Sequence, residues 1–290
     1  METHLEFTCV PANAKTRPPR EKAPPGSCDS HFHIFGPYDR FPMSPARPYT
    51  PPPASIDHYL DMANTLGLDR RVVVQASVYG TDNRVTMDAV ARFGRDTARA
   101  VVVVDEGTMP QELQRLADEG AVGLRFNVVS GNGTPLEQIE SMARRVASFG
   151  WHLQLYVKGP PLTQFAPQLA KLPVPLVLDH MAGVDAADGP DSPELQAALR
   201  LLDSGNVWVK ISGYRSSKPP YDDLAPIARR FVAAAPERCV WGTDWPHTQF
   251  ETPEQMTDDG MLLDWLFDWV PDAATREKIL VTNPAELYRF

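Results

Sequence analysis

The sequence predicts an α/β protein built as a single (β/α)8 barrel of the TIM type. Three observations carry that prediction. After residue 27, short apolar, β-branched runs alternate with amphipathic stretches of helical period, and strands that are apolar on both faces belong to a parallel sheet covered by helices. Eight such units fit into 290 residues, the size of one closed barrel. No G-x-G-x-x-G or G-x-x-x-x-G-K-S/T follows any strand, which removes support from the open, nucleotide-binding α/β sheets.

Taken in order, residues 1–26 form an N-terminal arm, and 27–290 the barrel. Five prolines and several charges in 10–26 predict an extended or partly disordered segment. The first strand is Cys28–Phe35, in which alternation points His31 and His33 the same way. The loop 36–54 is rich in proline, stiff, and suited to an active-site wall; its Tyr38, Phe41 and Tyr49 pack it down. Helices are expected over 55–67, 83–94, 110–119, 135–149, 161–171, 192–204, 221–235 and 253–269. Between them lie strands Arg71–Ala76, Ala100–Val104, Val122–Phe126, His152–Val157, Pro175–Leu178, Val207–Ile211 and Cys239–Gly242, and residues 272–290 close the chain with one or two short helices.

Composition narrows the function classes. A net charge of −9 and a pI of about 5.3 argue against nucleic acid or an anionic membrane as the main partner, since both favour basic surfaces. No apolar run reaches membrane-spanning length, and residues 1–27 lack the apolar core of a secretory signal. Cys9, Cys28 and Cys239 are odd in number and far apart, which reads as reduced thiols in a cytoplasmic protein.

Barrel enzymes work at the carboxyl ends of their strands. Here those ends supply His31 and His33; Gln75 or Ser77; Asp105; Arg125 and Asn127; Tyr156 or Lys158; Asp179 and His180; Lys210, Ser212 and Arg215; and Asp244 and His247. Any single strand end must meet water, but this convergence of histidines, arginines and acids describes a chemical site.

His-x-His on the first strand, LDHM on the sixth and GTDWPH on the eighth resemble the amidohydrolase superfamily, and within it the second amidohydrolase family that holds pyrone-dicarboxylate and sugar-acid lactonases. The pieces DSHFHIFGP, QASVYGTDN, GLRFN, WVKISG and VTNPAELY extend the likeness from about residue 27 to the end. The resemblance implies a distorted barrel and hydrolysis of a small anionic lactone. It makes Asp244 the base that activates water, and places His31, His33 and His180 around the lactone carbonyl. Tyr49, Ser77, Arg125, Tyr156, Arg215 and His247 would line the substrate pocket. Most members of the superfamily hold divalent metals, whereas the lactonases this chain resembles work without one. With Tyr156 where a bridging ligand would stand, the expected cofactor is none; the alternative is one Zn2+ on His31, His33, His180 and Asp244, whose four N/O donors complete a tetrahedron. In the dicarboxylate lactonase the loop after strand four carries a further arginine; residues 127–135 here have no basic residue, so a monocarboxylate or sugar-acid lactone is at least as good a candidate. A zinc-dependent hydrolase or decarboxylase, a lactone isomerase and a silent binding protein are the competing readings, and the residues leave the oligomeric state open.

Overall fold

The computed structural model describes residues 7–218 and 221–290. Eight parallel strands lie side by side in chain order: β1 Cys28–Phe32, β2 Arg70–Val74, β3 Ala98–Val102, β4 Ala121–Asn127, β5 His152–Tyr156, β6 Leu176–Leu178, β7 Val207–Lys210 and β8 Cys239–Val240. Closure between β1 and β8 runs through the segment just past β8: Ser30 N donates to Trp241 O, Asp244 N to His31 O, and His33 N to Trp245 O, at 2.8–2.9 Å. A (β/α)8 barrel results, its last joint made largely by irregular backbone.

Each strand leads to a helix: α1 Ile56–Leu66, α2 Arg84–Phe93, α3 Pro110–Asp118, α4 Ile139–Val146, α5 Pro160–Leu169, α6 Pro193–Asp203, α7 Leu224–Ala234 and α8 Asp259–Trp269. Local chemistry sets their ends. Ser55 and Ser192 cap α1 and α6 through their hydroxyls, and Gly67 ends α1 in the left-handed region. The last helix starts six residues later than its periodicity predicts, because Asp258 accepts from the Gly260 and Met261 amides while 253–255 form a separate 3-10 turn. Strand β8 is shorter than expected: past Val240 the chain bonds to β1 through irregular backbone, and it passes so close that a Cβ at Gly242 would sit 2.5 Å from His31 N. The tail forms α9 Ala273–Glu277, a π turn over 278–282 and α10 Asn283–Tyr288. Residues 9–26 follow the outside of the barrel, where Arg17 and Arg20 bind the Asp264 carboxylate of α8 and Ala23 N donates to Leu66 O; residues 1–6 lie outside the described residues.

Strand alternation divides the packing in two. Outward side chains such as Val73, Leu124, Leu153 and Val209 join the helices in the main core. Inward ones (Cys28, Val72, Val101, Val122, Val177 and Val240) form a second cluster, plugged by Leu287 and Tyr288 of α10. Continuing the same parity upward, the interior turns ionic: Gln154 and Tyr156 follow His152, Asp179 follows Val177, and Lys210 follows Trp208. An apolar floor and a charged ceiling share one barrel.

Candidate active site

Strand β1 slips register against β2 between Asp29 and Phe32. Bulges of this kind re-aim side chains beside active sites. Phe32 turns outward and stacks on Tyr59 of α1 at 3.7 Å between ring centroids, while His31 and His33 meet inside the barrel mouth, edge to face, with centroids 5.0 Å apart. The Asp29 carboxylate holds the joint by accepting from the Thr243 amide and hydroxyl and from Tyr59.

Two strained turns bring in the remaining groups. His180, Met181, Ala182 and Gly183 all have positive φ, from 50° to 66°. A left-handed conformation costs a non-glycine residue about 1–2 kcal/mol, so this turn is held by its surroundings. Packing permits only glycine at its end, since a Cβ on Gly183 would lie 1.8 Å from Val157 O. Asp244 and His247 are also left-handed, each at φ 60°. Backbone strain of this kind gathers at functional sites.

Asp244 is the centre of the arrangement. Its Oδ2 accepts from Tyr214 OH at 2.6 Å and from Arg215 Nε. Its Oδ1 has no hydrogen-bond partner among the described residues, yet it faces three imidazole Nε2 atoms: His31 at 3.6 Å, His33 at 3.6 Å and His180 at 4.0 Å. Burial would raise the Asp244 pKa, but the Arg215 guanidinium and the surrounding rings override it and hold the carboxyl well below its usual range. Burial pushes all three histidines toward the neutral form, His180 to about 3. Outer partners orient the rings: His33 Nδ1 lies 2.7 Å from Val74 O, His180 Nδ1 3.1 Å from Ser212 Oγ, and His31 Nδ1 3.1 Å from Lys210 Nζ.

Lys210 and Asp179 form a fully buried pair beneath the histidines, with Nζ 3.2 Å from Oδ1. Burial draws the lysine down to about 8 against the opposing pull of Asp179. The other Asp179 oxygen accepts from Gln154 at 3.0 Å, with Arg125 Nε 3.8 Å away.

Among the expected pocket residues, Arg125 is buried and donates to Gln75 O, Tyr156 sets its ring against His180, and Tyr49 meets Ser77 Oγ at 3.3 Å. Arg215 stands against Asp244. His247 is placed differently from the expectation: its Nε2 is 2.9 Å from Asp259 Oδ1 at the start of α8 and its ring packs behind Tyr214, so it braces the turn. Tyr214 was not singled out by the sequence, because it lies past the end of β7, where strand parity no longer says which way a side chain points. For Asp179 and Lys210 the signal existed, as both continue the inward face of their strands. Beside Asp244, a cavity of about 390 Å³ opens between Tyr156, Tyr214, Arg215, Lys158, Lys218 and Val129.

His31, His33 and Asp244 also bring ligand atoms close enough to share a small cation, with His180 Nε2 4.0 Å from the same Asp244 oxygen. Among the described residues the Nε2 of His31 and the Oδ1 of Asp244 are buried without hydrogen-bond partners, and the ligand atoms of His31, His33 and Asp244 all lie within 4.8 Å of one another.

A profile described as Amidohydrolase matches residues 28–290. The chain belongs to the amidohydrolase family. It is 38% identical over 284 residues to a 2-pyrone-4,6-dicarboxylate hydrolase of Comamonas testosteroni, covering 93% of this chain and 92% of that protein. It is 33% identical over 277 residues to a D-galactarolactone isomerase of Agrobacterium fabrum, covering 94% of each. Among solved structures it resembles a probable 2-pyrone-4,6-dicarboxylic acid hydrolase from Acinetobacter baumannii with citric acid bound, at a TM-score of 0.81 and 28% identity, with 91% of this chain and all of that chain covered. In this family member, the sequence and the mouth of the barrel thus point to the same enzyme class.

Proposed function

We propose that this enzyme hydrolyses the ring ester of a small anionic lactone, with Asp244 as the base that activates water. One observation carries the reading: a buried carboxylate oxygen without a partner faces three imidazole nitrogens, while its sister oxygen is tied to Tyr214 and Arg215. Water held at Asp244 Oδ1 attacks the ring carbonyl and passes its proton to the carboxylate. Imidazole N–H groups take up the charge that develops on the carbonyl oxygen, and in acyl transfer such stabilisation usually contributes most to the rate. As the tetrahedral centre collapses, the ring C–O bond breaks and the proton on Asp244 moves to the departing oxygen, giving a hydroxy acid. A carboxylate held this far down is a weak base, which suits a strained or activated ester better than an amide.

Relatives that act on a pyrone dicarboxylate and a galactarolactone support an anionic or polyhydroxylated lactone. Arg125 and Arg215 are the guanidinium groups that the described residues bring to the mouth, and a guanidinium can grip a carboxylate with two bonds. The loop 127–135 brings Val129 to the adjoining cavity instead of a base, which favours a substrate with fewer carboxylates than pyrone dicarboxylate.

We infer a reaction without metal, because Lys210, Arg125 and Arg215 already outweigh Asp179 and Asp244 at the mouth and would repel a dication. The second reading is one zinc on His31, His33, His180 and Asp244, favoured by the closeness of His31, His33 and Asp244. Bound there, zinc would acidify a water and polarise a carbonyl. Metal analysis with chelation separates the two: stoichiometric zinc whose removal abolishes turnover establishes the second. We place the protein in the cytoplasm: its cysteines are unpaired and buried, and no helix among the described residues is long and apolar enough to cross a membrane.

The test is Asp244→Asn on a panel of anionic lactones, read by acid release and product analysis. The expected result is a kcat lower by roughly 10²–10⁴ with binding of the product acid kept. Retained turnover ends the proposal, and loss of lactone without acid release identifies isomerisation.

A further inference from the structure

The two histidines of His-x-His look equivalent in the sequence, and the structure gives them opposite outer partners. We propose that Lys210 is a positioning residue that keeps the His31 proton on Nε2, so that His31 donates into the active site while its neighbour His33 accepts there.

One contact decides His33. Its Nδ1 lies 2.7 Å from Val74 O, and a carbonyl oxygen only accepts. Nδ1 therefore carries the proton, and the neutral ring presents a lone pair at Nε2. That lone pair faces Asp244 Oδ1 at 3.6 Å with no proton between them, so both are acceptors for a water that enters the site.

His31 is held the other way round. Lys210 Nζ is 3.1 Å from Nδ1, and an ammonium has three donors and no acceptor. Asp179, 3.2 Å from the same Nζ and as fully buried, keeps the lysine an ammonium. Nδ1 must then be the acceptor, which leaves the proton on Nε2. The competing arrangement would have His31 Nδ1 donate to Asp179 Oδ1, 3.4 Å away. That is the longest side of the triangle: Lys210 Nζ is 3.1 Å from Nδ1 and 3.2 Å from Oδ1, so the ammonium stands between two acceptors and donates toward both. His31 Nε2 is itself buried with no hydrogen-bond partner among the described residues, free to donate to whatever enters.

The functional consequence is a division of labour: His33 and Asp244 hold the attacking water, and His31 offers the N–H to the carbonyl oxygen. It also sets Lys210 against a metal at His31, because a ligating Nε2 would put the Nδ1 proton head-on against an ammonium. This division of labour rests on the lactonase reading, but the position of the proton does not.

The test is long-range 1H–15N correlation on the full chain with 15N-labelled histidine at neutral pH, His31 and His33 being assigned from His31→Gln and His33→Gln. The expected spectrum has a pyridine-type Nδ1 and pyrrole-type Nε2 on His31, with the reverse on His33. A pyrrole-type Nδ1 on His31 overturns the proposal, whatever the enzyme's substrate proves to be. In Lys210→Met the His31 proton should move to Nδ1, and kcat on the turned-over lactone should fall on the order of 10²-fold, the scale of one lost oxyanion donor, with KM changed only a few-fold. An unchanged kcat in a folded variant overturns the role assigned to Lys210. If the variant does not fold, the wild-type spectrum still decides.

Discussion

His31 and His152 are both buried inside the same barrel, one at its mouth and one near its floor, and they differ in almost everything around them. His31 has Lys210, Asp179 and Asp244 within 3.6 Å and shares its space with two other imidazoles. His152 has the Tyr288 ring against it and Gly123 beside it, and its nitrogens make no well-formed hydrogen bond among the described residues. Burial pulls His152 down to about 3, so it behaves as a flat, apolar filler. Five left-handed residues, His180, Met181, Ala182, Asp244 and His247, lie at the mouth, whereas Arg289, which ends α10 at the floor, is a left-handed helix cap. The buried ionic groups gather where chemistry is done and the other end is packed for stability, as in barrel enzymes.

The same small change made at both ends puts this contrast under the most severe test. At the mouth, Gly183→Ala puts a methyl group 1.8 Å from Val157 O at φ +66°, where neither backbone can yield cheaply. The turn carrying His180 must move, and both stability and activity should suffer: a loss of about 3 kcal/mol or more, above the usual range for overpacking, and kcat/KM down on the order of 10²-fold, since small misplacements of catalytic groups cost that much. Urea unfolding and steady-state kinetics read the two effects; full activity in this variant would mean the turn does not position His180. Near the floor, the nearest atoms to a methyl in Gly123→Ala are those of the His152 ring, 2.5 Å away. The ring can tilt, so the cost should be about 1–3 kcal/mol with kcat/KM within about two-fold of wild type, because no mouth residue is displaced. A comparable loss of activity here would erase the distinction between the two ends.

The same distinction shows what could be read from the residues alone. The eight-fold alternation needs only periodicity, so the barrel and its helices were legible, with errors where backbone geometry intervened, as at Gly242 and Asp258. His31, His33, His180 and Asp244 were legible as a group because each ends a strand. Their individual orientations were not, since they depend on partners far away in the chain: Val74 for His33, Lys210 for His31. His247 shows the limit from the other side. It follows Asp244 closely, but a left-handed turn aims it at Asp259, and no local pattern announces that turn.

A milder effect concerns the charge state of the floor. His152 titrates near 3 in the folded protein against about 6.5 unfolded. As pH falls through that window the unfolded chain takes up a proton that the folded one refuses. The contribution of His152 to stability is therefore complete above about 6.5 and lost progressively toward 3, with a slope of at most one proton, about 1.4 kcal/mol per pH unit. His152→Leu fills similar space beside Tyr288 without a titratable group, so it should unfold with a shallower pH dependence between 4 and 6.5 while keeping wild-type kcat/KM at neutral pH. Urea midpoints at several pH values give both slopes, and the difference isolates His152 because the mouth histidines are unchanged in both proteins. Parallel slopes would show that the floor admits a proton or water to that ring, and would remove the contrast between a working end and a sealed one.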